Sequence, residues 1–144
     1  MAEGQMQVKV DKTNLIKAGA VPIIVAVVGG LLWLIASLRG IPGILMWALA
    51  VFAGIWYADR VSKAGAKPAI LDVVVNGAIL GAVVGLVYGI VSWIAISIHY
   101  HGLGELMFRW DIGAVLLMLL EGAIGGGIGA AVLYAFKSGM IKTK

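Results

Sequence analysis

Four apolar runs with short polar connections organise this 144-residue chain, covering about 18–38, 41–58, 73–98 and 112–136. A helix rises about 1.5 Å per residue, so about 20 residues cross a hydrocarbon core. The first, third and fourth runs meet that length. The second is slightly short and is predicted to stand upright or to thin the bilayer locally. The pattern therefore predicts an all-α membrane protein: a four-transmembrane-helix bundle over residues 13–137, with a polar tail at 1–12 and a basic tail at 138–144.

Inside the runs the small residues are ordered. Gly77, Gly81, Gly85 and Gly89 recur every fourth position, which puts them on one stripe of the third helix. The fourth helix carries Gly122, Gly126 and Ala130 on one stripe, with Gly125 and Gly129 beside it. Lipid removes the hydrophobic drive between helices, so association relies on the close approach that such stripes permit. The simplest arrangement packs helix three on helix four through these faces. Two extended small-residue surfaces in one chain also predict a stripe that faces a neighbouring subunit. The triplet Gly125-Gly126-Gly127 is expected to stay within a continuous helix.

The connections are also readable. Gly40 and Pro42 suit a tight hairpin, one closing a helix and the other entering the next. Trp56 and Tyr57 precede Asp59 and Arg60 and are expected as headgroup-level anchors, as is Trp110. Leu103, Leu106, Met107 and Trp110 fall on one helical face, with Glu105 and Arg109 spaced as a pair elsewhere. This predicts a short interfacial helix between spans three and four. Asp11 or Thr13 is the expected cap of the first helix. The first run is too long for a signal peptide, and Ser37-Leu38-Arg39 is a poor cleavage site, so it is read as an uncleaved span.

Composition agrees. Charged residues make up 12% of the chain against 62% hydrophobic ones, and the mean hydropathy is +1.04. No stretch is polar enough for a soluble enzyme domain, and there is no cysteine for a disulfide or thiolate chemistry. The 11 basic residues alternate: three before span one, Arg39 alone, then Arg60, Lys63 and Lys67, then Arg109 alone, then Lys137, Lys142 and Lys144. The positive-inside rule assigns both termini and the middle connection to the cytoplasm of a multi-pass cell-membrane protein. The partner implied is the bilayer and not nucleic acid.

Spans one and three also look alike at an offset of 55 residues, Gly30-Leu31-Leu32-Trp33 matching Gly85-Leu86-Val87-Tyr88. Tyr57-Ala58 and Tyr134-Ala135 match in spans two and four. A parallel duplication of a helical hairpin would give this pattern.

One residue breaks the apolar pattern at depth. Glu121 lies about 15 Å along the helix from Asp111, close to mid-membrane. An acidic residue there costs about 2.5–3.5 kcal/mol on insertion, so it needs a structural or functional reason. Tyr88 and Ser92 in span three, with Trp33 and Ser37 in span one, offer hydrogen bonds at similar depth. Glu121 either glues helices together or, with Tyr88 and Ser92, forms an ion or proton site. Asn76 is expected to bond to a neighbour. His99 and His101 lack further ligands, so no metal is implied, and no motif implies a cofactor or an enzyme.

The stretch Tyr57-Ala58-Asp59-Arg60, Ala64 to Pro68 and Asn76-Gly77-Ala78-x2-Gly81-Ala82-x2-Gly85 resembles small four-span glycine-rich membrane proteins of unknown function from archaea and bacteria. That resemblance implies the fold and no activity. The placement of Glu121 is similar to that in rotor-ring proteolipids, whose glutamate binds the transported ion. The glycine spacing and cytoplasmic termini depart from that family. The compact multidrug exporters share four helices but carry their glutamate in the first. The expectation is a structural or interaction subunit that associates with itself or a larger complex through its glycine faces. The alternative is a small ion- or proton-coupled transporter or channel using Glu121.

Overall fold

A computed structural model describes residues 8–32, 41–65, 67–99 and 104–139. The side chains at 41–43, 96, 97, 99 and 104–111 lie outside that description. Its elements are four helices: α1 Lys12–Leu31, α2 Ile41–Lys63, α3 Ile70–His99 and α4 Gly104–Lys137. All four are long and apolar enough to cross a membrane. α2 is 23 residues long, because it continues through Tyr57-Ala58-Asp59-Arg60 instead of stopping at Ala58. The expected interfacial helix is helical, but it is continuous with span four as the first turns of the 34-residue α4. The hairpin turn at Gly40, and the positions of Trp33, Ser37, His101 and Leu103, lie outside the described residues.

Asp11 caps α1, accepting from the Asn14 N–H at 3.1 Å. α2 and α4 each close through a glycine, Gly65 and Gly139, at φ +75, the left-handed conformation that side chains resist.

The packing is a diamond. α2 and α3 touch along its short diagonal, and α4 and α1 fill the opposite grooves without meeting each other. The α3–α4 contact is the most extensive, and α1–α2 the least. A parallel duplication would make these two hairpins alike, and the packing does not follow that symmetry. The aligned pair Gly30 and Gly85 also face different helices, α3 and α4 respectively.

Glycine sets the α3–α4 distance. A Cβ at Gly81 would strike the Gly122 carbonyl oxygen and lie 2.8 Å from the Gly126 Cα. A Cβ at Gly126 would strike the Gly77 carbonyl and lie 2.8 Å from the Gly81 Cα. Gly85 and Gly89 meet the backbone at Met118 and Val115 in the same way. The second stripe of α4 serves α2: a Cβ at Gly125 would lie 2.7 Å from the Ala50 Cβ, and Gly129 lies against Val51. Gly54 of α2 closes the seam, where an added Cβ would lie 2.7 Å from the Ala130 N. Helix α4 runs unbroken through Gly125-Gly126-Gly127.

These contacts are to backbone, which cannot rotate aside. Gly81→Ala should therefore destabilise the bundle by about 1–3 kcal/mol, read as earlier loss of helicity when SDS is titrated into mixed micelles. Gly113, which has nothing within 4 Å of its Cβ position, is the contrast. Gly113→Ala should be neutral or stabilising by up to about 1 kcal/mol. Equal effects at both positions would refute the contact account.

Candidate functional site

Glu121 sits in α4 about 14 Å along the helix from Ile112, where the apolar span begins. It is half-buried. The next residue, Gly122, faces α3, and Gly125, one turn on, faces Ala50 and Trp47 of α2. Leu117, Leu120 and Ile124 on its other side are exposed. Glu121 thus occupies the lip between the α2–α4 seam and the outward face of α4. Among the described residues no hydrogen bond or ion pair reaches its carboxyl.

The expected partners are turned elsewhere. Ser92 is 2% exposed, and its hydroxyl donates to the Gly89 carbonyl of its own helix at 3.0 Å. Its backbone lies against Gly30 of α1. Tyr88 is fully buried with its ring against Gly29 of α1, and it makes an interaction of its own. Both residues lie on the α1 side of α3, whereas α4 packs on the glycine stripe. The structure therefore does not bring Glu121, Tyr88 and Ser92 together: the last two lie on the side of α3 that meets α1, and its glycine stripe meets α4.

The glycine faces are taken up inside the chain. Gly77, Gly81, Gly85 and Gly89 meet α4, Gly122 and Gly126 meet α3, and Gly125 and Gly129 meet α2. None of the eight is left open to a second subunit. Of the expected anchors, Trp56 is half-buried and stacks on Phe52 with ring centroids 5.5 Å apart. Tyr57 differs: it turns inward to the core at 1% exposure, so it anchors no headgroup from the lipid side. The Trp110 and His99 side chains lie outside the described residues.

The polar groups gather at one end of the bundle, where α1 and α3 begin and α2 and α4 finish. Asn76, one turn inside α3 and 1% exposed, clamps the segment before α1. Its Oδ1 accepts from the Asp11 N–H at 2.9 Å, and its Nδ2 donates to the Lys9 carbonyl at 2.9 Å and the Asp72 carbonyl at 2.7 Å. The side-chain amide pairs with residues 9 and 11 as a neighbouring strand would. Asp72 adds a bond, accepting from the Lys9 N–H at 3.1 Å. Sequence reasoning placed Asn76 near a neighbour but missed Asp72, because their partners are main-chain groups that leave no pattern.

Two further ties close this end. The Tyr134 hydroxyl donates to the Pro68 carbonyl at 2.5 Å. Asp59 bridges α2 to α4, pairing with Lys63 at 2.7 Å and with Lys137. Between these ties lie two openings. One of ≈ 370 Å³ is lined by Ser62, Lys67, Tyr134 and Lys137. The other, of ≈ 530 Å³, is lined by Lys9, Asp11, Tyr57, Lys67, Asp72 and Asn76, among others. No described group hydrogen-bonds to the Tyr57 phenol. Among the described residues no group of acidic and histidine side chains is suited to hold a metal.

If Asn76 holds the segment before α1, Asn76→Ala should free it. The Asp11 amide should then exchange with deuterium at least about tenfold faster, the loss of one buried bond of about 1.4 kcal/mol. Unchanged exchange at Asp11 with a folded bundle would remove the clamp.

Compared with known proteins, the chain matches no family model, no curated protein and no solved structure.

Proposed function

We propose that this chain is an integral membrane interaction subunit whose contact face is the α2–α4 flank around Glu121. The observation that carries this is the half-buried Glu121 carboxyl, without a partner among the described residues while the glycine faces are filled internally. In hydrocarbon a polar group has no water to satisfy it, so it is stable only where another group supplies the bond. No Lys or Arg lies at that depth in the other spans. A second copy related by a two-fold axis would bring carboxyl to carboxyl, a pairing that needs no cation. Leu117, Leu120 and Ile124 would supply the apolar surround.

The second reading, a small proton- or ion-coupled transporter, starts from the same unpaired carboxyl. The two separate under substitution. An intermembrane carboxyl pair contributes about 0.6–2 kcal/mol, so Glu121→Leu should weaken self-association about threefold to thirtyfold in bilayers, whereas Glu121→Gln, which keeps hydrogen bonding, should be milder. Unaltered association of Glu121→Leu would sink the docking face. If Glu121 reacts with a hydrophobic carbodiimide and sodium or high pH protects it, while Glu121→Gln abolishes flux in liposomes, the transport reading takes its place.

The proposed orientation has both termini in the cytoplasm. The chain lacks cysteine, so single reporters are clean. An impermeant maleimide applied to intact cells should label Gly104→Cys and spare Ser138→Cys. The reverse labelling would invert the topology.

A further inference from the structure

The ≈ 530 Å³ opening at the polar end is independent of Glu121. Its size falls within the ~300–1,000 Å³ of small-molecule sites. In its wall stands Tyr57, 1% exposed, with a hydroxyl that no described group hydrogen-bonds. A buried hydroxyl left unpaired costs about 1–3 kcal/mol, so this one marks a place where a bound molecule completes the bonding.

The remaining groups say what that molecule offers. Asn76 is spent on the segment before α1. Both Asp11 oxygens accept from Asn14, at 3.1 and 2.6 Å. One Asp72 oxygen accepts from the Lys9 N–H, and the other has no described partner. The ammonium groups of Lys9 and Lys67 make no ion pair among the described residues. The first turn of α3 begins here too, its N–H groups preceding the Val73 to Ala69 bond. Unspent donors therefore outnumber unspent acceptors, but one carboxylate oxygen remains. The lining has two lysines and two aspartates, so its formal charge is balanced.

We propose that this cavity binds a phosphodiester headgroup that carries its own hydrogen-bond donor, a primary ammonium or a hydroxyl, and that a phospholipid of the adjoining leaflet supplies it. The phosphate accepts from Lys9, Lys67 and the Tyr57 hydroxyl, and the ammonium or hydroxyl donates to Asp72. The opening lies where the chain leaves the apolar spans, at the Lys67-Pro68-Ala69 connection, which is headgroup level for a spanning bundle. A choline headgroup has the phosphate but only methyl groups to set against Asp72. It should bind less well.

The test is native mass spectrometry of the full chain titrated with ethanolamine, glycerol and choline phospholipids of identical acyl chains. Ethanolamine and glycerol lipids should bind about tenfold more tightly than choline lipid, the equivalent of one buried hydrogen bond. Tyr57→Phe and Lys67→Gln should each weaken all three lipids alike, by about tenfold, and Asp72→Ala should erase most of the preference. Tyr134→Phe, outside this cavity, should keep it. Lys67 is exposed, so its variant leaves the core intact and reports even where Tyr57→Phe disturbs packing. Equal binding of the three lipids, an undiminished preference in Asp72→Ala, or unchanged affinity in Lys67→Gln would overturn the proposal. Displacement of bound lipid by equimolar soluble phosphoethanolamine would overturn the lipid source.

Discussion

The bundle depends on the contact of bare backbone with bare backbone along α3 and α4. Water would drive these helices together by burying side chains, but lipid solvates apolar side chains as well as a neighbouring helix does. What remains is dispersion, which needs many atoms at contact distance. Glycine removes the atom that would hold the axes apart. Gly126 is the centre of this arrangement: Gly77 and Gly81 of α3 lie on one side of it and Gly54 of α2 on another. Three helices meet at one residue without a side chain, and α4 has no rotational freedom left.

That fixed rotation decides where the chemistry goes. With Gly122 and Gly126 turned to α3 and Gly125 and Gly129 to α2, position 121 must fall on the rim of the α2 seam. It cannot reach Tyr88 or Ser92, which lie on the other side of α3. Helix α1 is held differently. Gly29 meets the side chains of Leu49 and Tyr88, which can shift, Gly30 alone meets backbone, at Ser92, and α1 has no contact with α4. Its position is secured at its start, where Asn76 and Asp72 hold residues 9 and 11. A polar clamp at the end replaces tight packing along the length.

The sequence made the helices and the packing of helix three on helix four legible, and narrowed the first cap to Asp11 or Thr13, because each rests on spacing within one segment. It also expected the glycine faces to serve assembly, whereas they meet helices of the same chain. It misled where two helices had to be set in rotation. Tyr88 and Ser92 have the right depth for Glu121 and the wrong azimuth, and depth is all that counting residues gives. Tyr57 read as a lipid-facing anchor because aromatic residues near a span end usually are. Its inward turn follows from Val61, Ala53 and Ala58 sharing the buried side of α2. The clamp was half-visible: Asn76 is an obvious polar residue inside an apolar run, but its partners are carbonyl and amide groups that every residue carries.

Among the described residues Glu121 and Tyr57 each keep an unpaired polar group on a partly or fully buried side chain, and their surroundings differ. Glu121 lies midway along the apolar part of α4, with exposed leucines on one side and no ion pair among the described residues. The Tyr57 hydroxyl lies at the bundle end, in an opening bounded by lysines and aspartates. In the first setting the cost of solitude is high and the available partners are few, which favours a protein surface that brings its own carboxyl or amide. In the second, water and headgroups compete, and only a molecule matching both the donors and the single free acceptor would hold its place. The same unmet hydrogen bond thus supports the proposal of assembly at one place and of ligand selection at the other, because the surroundings differ while the chemistry does not.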